Sequence, residues 1–127
     1  MSTPTQTSPG VETVVEEKTI ELEASHVYVH CYFNNTVKDM LIRIWKTTFL
    51  VDKNSAHRSK LVHAENISFA PQWTVIPENK LFQFLLIFEG LPNGCEMFDL
   101  VEDIPQPGGF FVADIMRNKK DVYHVYI

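Results

Sequence analysis

The chain has 127 residues, 45% hydrophobic and 21% charged, with a net charge of −5, the balance of an ordinary globular domain that needs neither a disulfide framework nor a metal to fold. Residues 1–25 carry five Glu and one Lys, which leaves ten basic and eleven acidic side chains for the rest; a near-neutral body offers little counterion release and argues against a nucleic-acid partner. No apolar run approaches the ~20 residues of a membrane span, which argues against a membrane partner.

In chain order, "MSTPTQTSPGVETVVEE" (residues 1–17) is rich in Ser, Thr, Pro, Gly and Glu and reads as a flexible acidic tail. It has no basic flank and no apolar core, so no secretory signal is expected and the cytoplasm is the expected location. Residues 18–127 read as one domain. "TIELE" alternates, and "HVYVHCYF" alternates for eight residues, with Val27, Val29, Cys31 and Phe33 on one face and His26, Tyr28, His30 and Tyr32 on the other. That is a half-buried strand, ended by "NNT". In "MLIRIWKTTFLV", Leu41, Arg43, Trp45, Thr47, Phe49 and Val51 alternate against Ile42, Ile44 and Lys46. Further strands are expected at 58–63, 65–70, 81–89, 96–102, 109–115 and 121–127, separated by the turn signals "PEN", "LPNG", "PQPGG" and "RNKK". Seven to nine short strands without a helical period predict an all-β fold, an antiparallel β-sandwich. Cys31 and Cys95 are too few for a disulfide framework and are expected as free thiols.

"TTFLVDKNSAHRSKLVHAENI" (47–67) packs Asp52, Ser55, His57, Ser59, His63 and Glu65 into one short span, the residue types of a hydrolase or a metal site. Strand register argues for a hairpin instead. A five-residue loop, "KNSAH", sets Val51 opposite Ser59 and Phe49 opposite Leu61, which buries Phe49, Val51 and Leu61 and pairs Asp52 with Arg58 in water. A four-residue loop would set Phe49 opposite Lys60 and Val51 opposite Arg58, burying two cations. In the five-residue register Ser59 points away from Asp52 and His57 sits in the loop tip, so no nucleophile meets its base, and no G-x-S-x-G elbow is present. Continuing this hairpin would oppose Glu65 to Trp45, so a bulge or strand end is expected near Ala64.

His26 and His30 would lie ~13 Å apart on a strand, too far to share an ion, whereas His63 and Glu65, ~7 Å apart, would need a third ligand such as His124. "QPGG" lacks the Lys-Ser/Thr of a phosphate cradle. Glu96, Asp99, Glu102 and Asp103 crowd one strand, whereas paired glycosidase carboxylates come from separate elements. These residues therefore predict no catalytic, cofactor-binding or metal-binding site. Arg43, Lys46, Lys53, Arg58 and Lys60 stand against Asp52 alone in 43–60, and four acids crowd 96–103; the two segments either pair with each other or form a docking surface.

"TTFLVDKNSAHRSKLVHAENISFAPQW", followed by "LFQFLLIFEGLPNGCEMFDLVED", resembles a small immunoglobulin-like β-sandwich domain that recurs in uncharacterised bacterial proteins. The resemblance covers residues 43–103, through an "LVDK" strand end, a "KLVHAE"-like run, an F-x-L-x-F strand closing on "LP" and an "FDLVE" strand. It implies the fold and carries no activity or catalytic residue across. "NSAH" here replaces a glycine-containing turn. Two functions follow. The first is a non-enzymatic protein-interaction or structural module whose partner is another protein or a second copy, with Val122, His124 and Tyr126 as the outward face of the last strand. The alternative is a small-ligand-binding or metal-dependent enzyme with a pocket near Trp45, Trp73, Tyr123, His63 and His124.

Overall fold

The computed structural model describes residues 26–78 and 80–127. The expected tail and "TIELE" lie outside the described residues. Among the described residues there are nine strands and no helix, in chain order β1 (Val27–Asn35), β2 (Met40–Ile42), β3 (Thr48–Asp52), β4 (Arg58–Glu65), β5 (Thr74–Ile76), β6 (Lys80–Phe88), β7 (Met97–Glu102), β8 (Phe111–Met116) and β9 (Val122–Tyr126). Seven of them form one sheet in the order β8-β7-β3-β4-β6-β1-β9, and β2 pairs with β5. The strand pairs are antiparallel except β1–β9, which runs parallel.

β4 is the corner of the sheet. Its first residues, Arg58–Lys60, pair with β3, and its later ones, Leu61–Glu65, pair with β6, with a register shift between Leu61 and His63. Val62 is the extra residue, and such a bulge bends and twists its strand. It falls at Val62 rather than near Ala64. Past this corner the sheet curls back on itself into a nearly barrel-shaped wall. Phe98 on β7 meets Tyr123 on β9 edge-on, with ring centroids 5.0 Å apart. Phe84 on β6 meets Phe110 at 6.3 Å. The enclosed core takes Val27, Val29 and Cys31 from β1 and Tyr123 and Val125 from β9, the inward faces that alternation predicts, together with Leu50, Phe84, Leu86, Phe88, Phe98 and Leu100.

β3 turns the opposite face inward from the one expected. Thr48, Leu50 and Asp52 are buried, while Phe49 and Val51 are half-buried. The pairs are Phe49↔Lys60, Leu50↔Ser59 and Val51↔Arg58, the register that the hydrophobic match disfavours. No cation is buried by it, because these residues lie on the outer face, where the Arg58 guanidinium sits 4.2 Å from the centre of the Phe49 ring. A long cationic side chain can cover apolar surface while its charge stays in water.

The expected continuous strand through 41–51 is broken. Residues 43–47 are irregular, and Ile44 bridges Phe69 through Ile44 N–H to Ser68 O and Ala70 N–H to Ile44 O, both 2.9 Å. That bridge is what remains of the strand expected at 65–70, and β5 lies where none was expected. The β3–β7 pairing brings the basic and acidic segments together. Lys53 reaches Asp99 at 3.4 Å and Asp114 at 3.2 Å, and Arg58 reaches Asp103 at 3.8 Å. Of the five cations in 43–60, Lys53 and Arg58 thus pair with acids from other segments, and exposed pairs of this kind are weak.

Candidate functional site

The hydrolase-like residues do assemble, as a run of hydrogen bonds. Asp52 accepts the Asn54 N–H at 3.0 Å and the Ser55 hydroxyl at 2.8 Å. These bonds hold its carboxyl below the usual carboxylate range, against the upward push of burial. His57 folds back from the turn, and its Nε2 lies 3.0 Å from Ser59 Oγ, the spacing of a base and its nucleophile. Ser59, however, is buried and donates its hydroxyl proton to Gly90 O at 2.8 Å. With that single proton committed, His57 Nε2 is the donor in the Ser59 pair. A general base must take the nucleophile's proton, and this imidazole supplies one instead. The expectation that Ser59 points away from Asp52 is corrected: both face inward, and the hydrogen bonds from Asp52 to Gly90 tie the 53–57 turn to the segment after β6.

The metal-like residues stay apart. His63 Nε2 and Glu65 Oε2 are 3.2 Å apart on the exposed face of β4. His124 lies on β9, with β6 and β1 in between, a separation of roughly 14 Å at ordinary strand spacing. Ligands of one zinc ion lie ~2 Å from it, so His124 is not the third ligand. Among the described residues no group of three or more His, Cys, Asp or Glu is placed to hold a metal. In the acidic run, Glu102 points inward and accepts the N–H groups of Trp45 at 2.9 Å and Phe110 at 3.0 Å, while Asp99 accepts the Asp114 N–H at 2.9 Å. Cys31 and Cys95 are buried free thiols, and burial pushes the Cys31 thiol up to about 12.

Val122, His124 and Tyr126 share the outer face of β9, and the structure adds neighbours that periodicity in one strand does not show. Register sets Tyr28 beside Val122, His30 beside His124 and Tyr32 beside Tyr126, then Ile87, Leu85 and Gln83 of β6 beside Tyr28, His30 and Tyr32. The rings form a ladder. His30 and His124 stack at 4.8 Å and 11°, Tyr32 and Tyr126 at 5.0 Å and 26°, and the Tyr32 hydroxyl lies 2.8 Å from His124 Nδ1. Tyr126 is 71% exposed even though Tyr32 holds its ring. No Lys, Arg or Asp interrupts these rows, and Glu65 is the acid at their margin.

Trp45 and Trp73 converge on Arg43, which the sequence marked only as one cation of the basic segment 43–60. The Arg43 guanidinium lies over the Trp73 ring at 3.9 Å and 5.4 Å from that of Trp45. Two hollows adjoin it, of about 300 Å³ and about 180 Å³. Neither of these two is lined by His63, His124 or Tyr123. Tyr123 faces inward, bonded to Asp121 at 2.8 Å. A third hollow, of about 580 Å³, is lined by Cys95, Glu96, Met116 and Arg117 among others. There Arg117 is already engaged by Asp121 and by the Pro92 and Cys95 carbonyls. The sequence signals for Arg43 were its place in the basic segment 43–60 and two residues before Trp45; Trp73 arrives from a distant loop. The chain matches no family model, no curated protein and no solved structure.

Proposed function

We propose that this chain is a non-enzymatic protein-interaction module on an immunoglobulin-like sandwich, its two half-sheets sharing β4, and that it docks a protein partner on the outer face of β6-β1-β9. The observation that carries this reading is the ladder of His30, Tyr32, His124 and Tyr126. Rings already held by their neighbours lose little conformational freedom when a partner covers them, and Tyr is favoured at interfaces because it couples a large apolar body to a polar tip. Three strands ~4.8 Å apart and three residue rows ~6.8 Å apart span about 300 Å² in projection. That matches the functional patches found on monomers and falls short of the ~800 Å² per side of a stable complex. The area therefore favours a transient partner over an obligate second copy.

The test places a photo-crosslinking residue at position 126, at position 28 and, as a control, at position 111 on β8. The expected result is one partner protein captured from 126 and 28 and not from 111, with Tyr126→Ser weakening its binding at least tenfold at unchanged melting temperature. Capture independent of position, or unaltered affinity in Tyr126→Ser, overturns the reading. Concentration-dependent dimerisation abolished by Tyr126→Ser would reassign the face to self-association.

A further inference from the structure

The cleft beside Arg43 goes beyond a protein-docking face. Its floor is built by the Ile44–Phe69 bridge, which holds residues 43–47 against 69–73. Arg43, Trp45, Lys46, Thr47, Ala70 and Pro71 line it as an open hollow of about 300 Å³, the small end of the range for ligand sites. The guanidinium is fixed, with Trp73 on one side at 3.9 Å and Nη1 donating to Pro71 O at 3.2 Å. That is one of its five N–H groups, and Arg43 meets no carboxylate among the described residues. Lys46, whose ammonium lies 5.6 Å from the Phe69 ring centre, is likewise without an acidic partner among them. A chain of net charge −5 therefore presents a cleft with two cations and no acid in its lining. Glu102 lies on the other side, lining the 180 Å³ hollow, with both oxygens held by backbone N–H groups.

We infer that this cleft binds a small carboxylate on a ring. The guanidinium edge takes the carboxylate as a fork, Lys46 adds a second charge, and Trp45, Ala70 and Pro71 give the ring apolar walls. A planar fork suits a carboxylate, and the site has neither the glycine-rich nest nor the helix N-terminus with which proteins cradle phosphate. The ring can come from an aromatic acid or from a uronic sugar.

Trp45 lines this cleft and Trp73 packs on Arg43, and these are the two Trp of the chain, so tryptophan fluorescence reports on Arg43 and its surroundings. Titration with benzoate and with glucuronate should give a saturable change for at least one, and benzamide and methyl glucoside should give none. A tenfold preference between the two acids identifies the ring. Arg43→Gln should weaken binding at least tenfold, and Lys46→Gln several-fold. Arg43→Lys keeps the charge, loses the fork and should also weaken binding, all three at unchanged melting temperature. No saturable response to either acid, an equal response to the neutral analogues or to inorganic phosphate, or full binding by a folded Arg43→Gln protein overturns the inference.

Discussion

Arg117 grips Asp121 with two parallel hydrogen bonds, Nε to Oδ1 at 2.6 Å and Nη2 to Oδ2 at 3.0 Å. Asp121 is buried, at a positive φ of 55°, and it also accepts the Tyr123 hydroxyl, while its backbone oxygen accepts the Tyr28 N–H at 2.9 Å. The pair thus sets the entry of β9 beside β1 and, with it, the ring ladder. Asp121→Ala leaves a half-buried guanidinium without its carboxylate, though still held by the Pro92 and Cys95 carbonyls, and losing such charged hydrogen bonds costs about 1–3 kcal/mol. Urea denaturation should show that loss.

The inverted β3 face makes a second prediction. Leu50 is fully buried and Phe49 is half-exposed under Arg58. Leu50→Ala should cost about 2–5 kcal/mol, as core truncations do, and Phe49→Ala less than ~2 kcal/mol, the ordinary cost outside the core. If the Phe49 variant proved the weaker protein, the observed register would be wrong.

Ser59 separates a structural hydrogen-bond chain from a catalytic one. Ser59→Ala removes a buried hydroxyl and leaves the part-buried Gly90 O without its donor, which should cost about 1–3 kcal/mol. His57→Ala, at the exposed link of the chain, should cost less than ~1 kcal/mol. Both variants should keep the binding of any partner captured through Tyr126.

Stability should fall on both sides of neutrality. Burial raises the Cys31 thiol and the Tyr123 phenol to about 12 each, and the Asp121 carboxylate adds to the second. Groups whose proton is held more tightly in the fold stabilise it fully below their unfolded values, ~8.5 for Cys and ~10 for Tyr, and that contribution drains away as pH rises toward 12. Asp52 has the opposite sign. Its lowered folded value contributes stability above ~4 that is lost as pH falls through the folded value. Urea midpoints from pH 2.5 to 11.5 should show both limbs, with Cys31→Val flattening the alkaline one and Asp52→Asn the acid one.

Much of the architecture was legible because strand periodicity is a local property. "HVYVHCYF" and "DVYHVYI" each declare a wet and a dry face within their own residues, and the structure seats Val29 and Tyr123 inward and Tyr32 and Tyr126 outward. Around Phe49 the same logic failed. Counting apolar side chains cannot see that the 53–57 turn and the Gly90 carbonyl satisfy Asp52 and Ser59, or that Arg58 covers Phe49 from outside. Which polar groups can be buried depends on partners that arrive from other strands. The same holds for the candidate sites. Val122, His124 and Tyr126 could be named from alternation alone, but the ladder exists because β9 pairs parallel with β1, a choice between strands nearly the whole described chain apart. Arg43 became a fixed fork only when the loop bearing Pro71 and Trp73 closed over it. Sequence determined the faces of the strands, because a side chain's direction alternates with its own backbone; tertiary structure alone decided which faces meet, because hydrogen bonding and burial are shared between segments that do not adjoin in sequence.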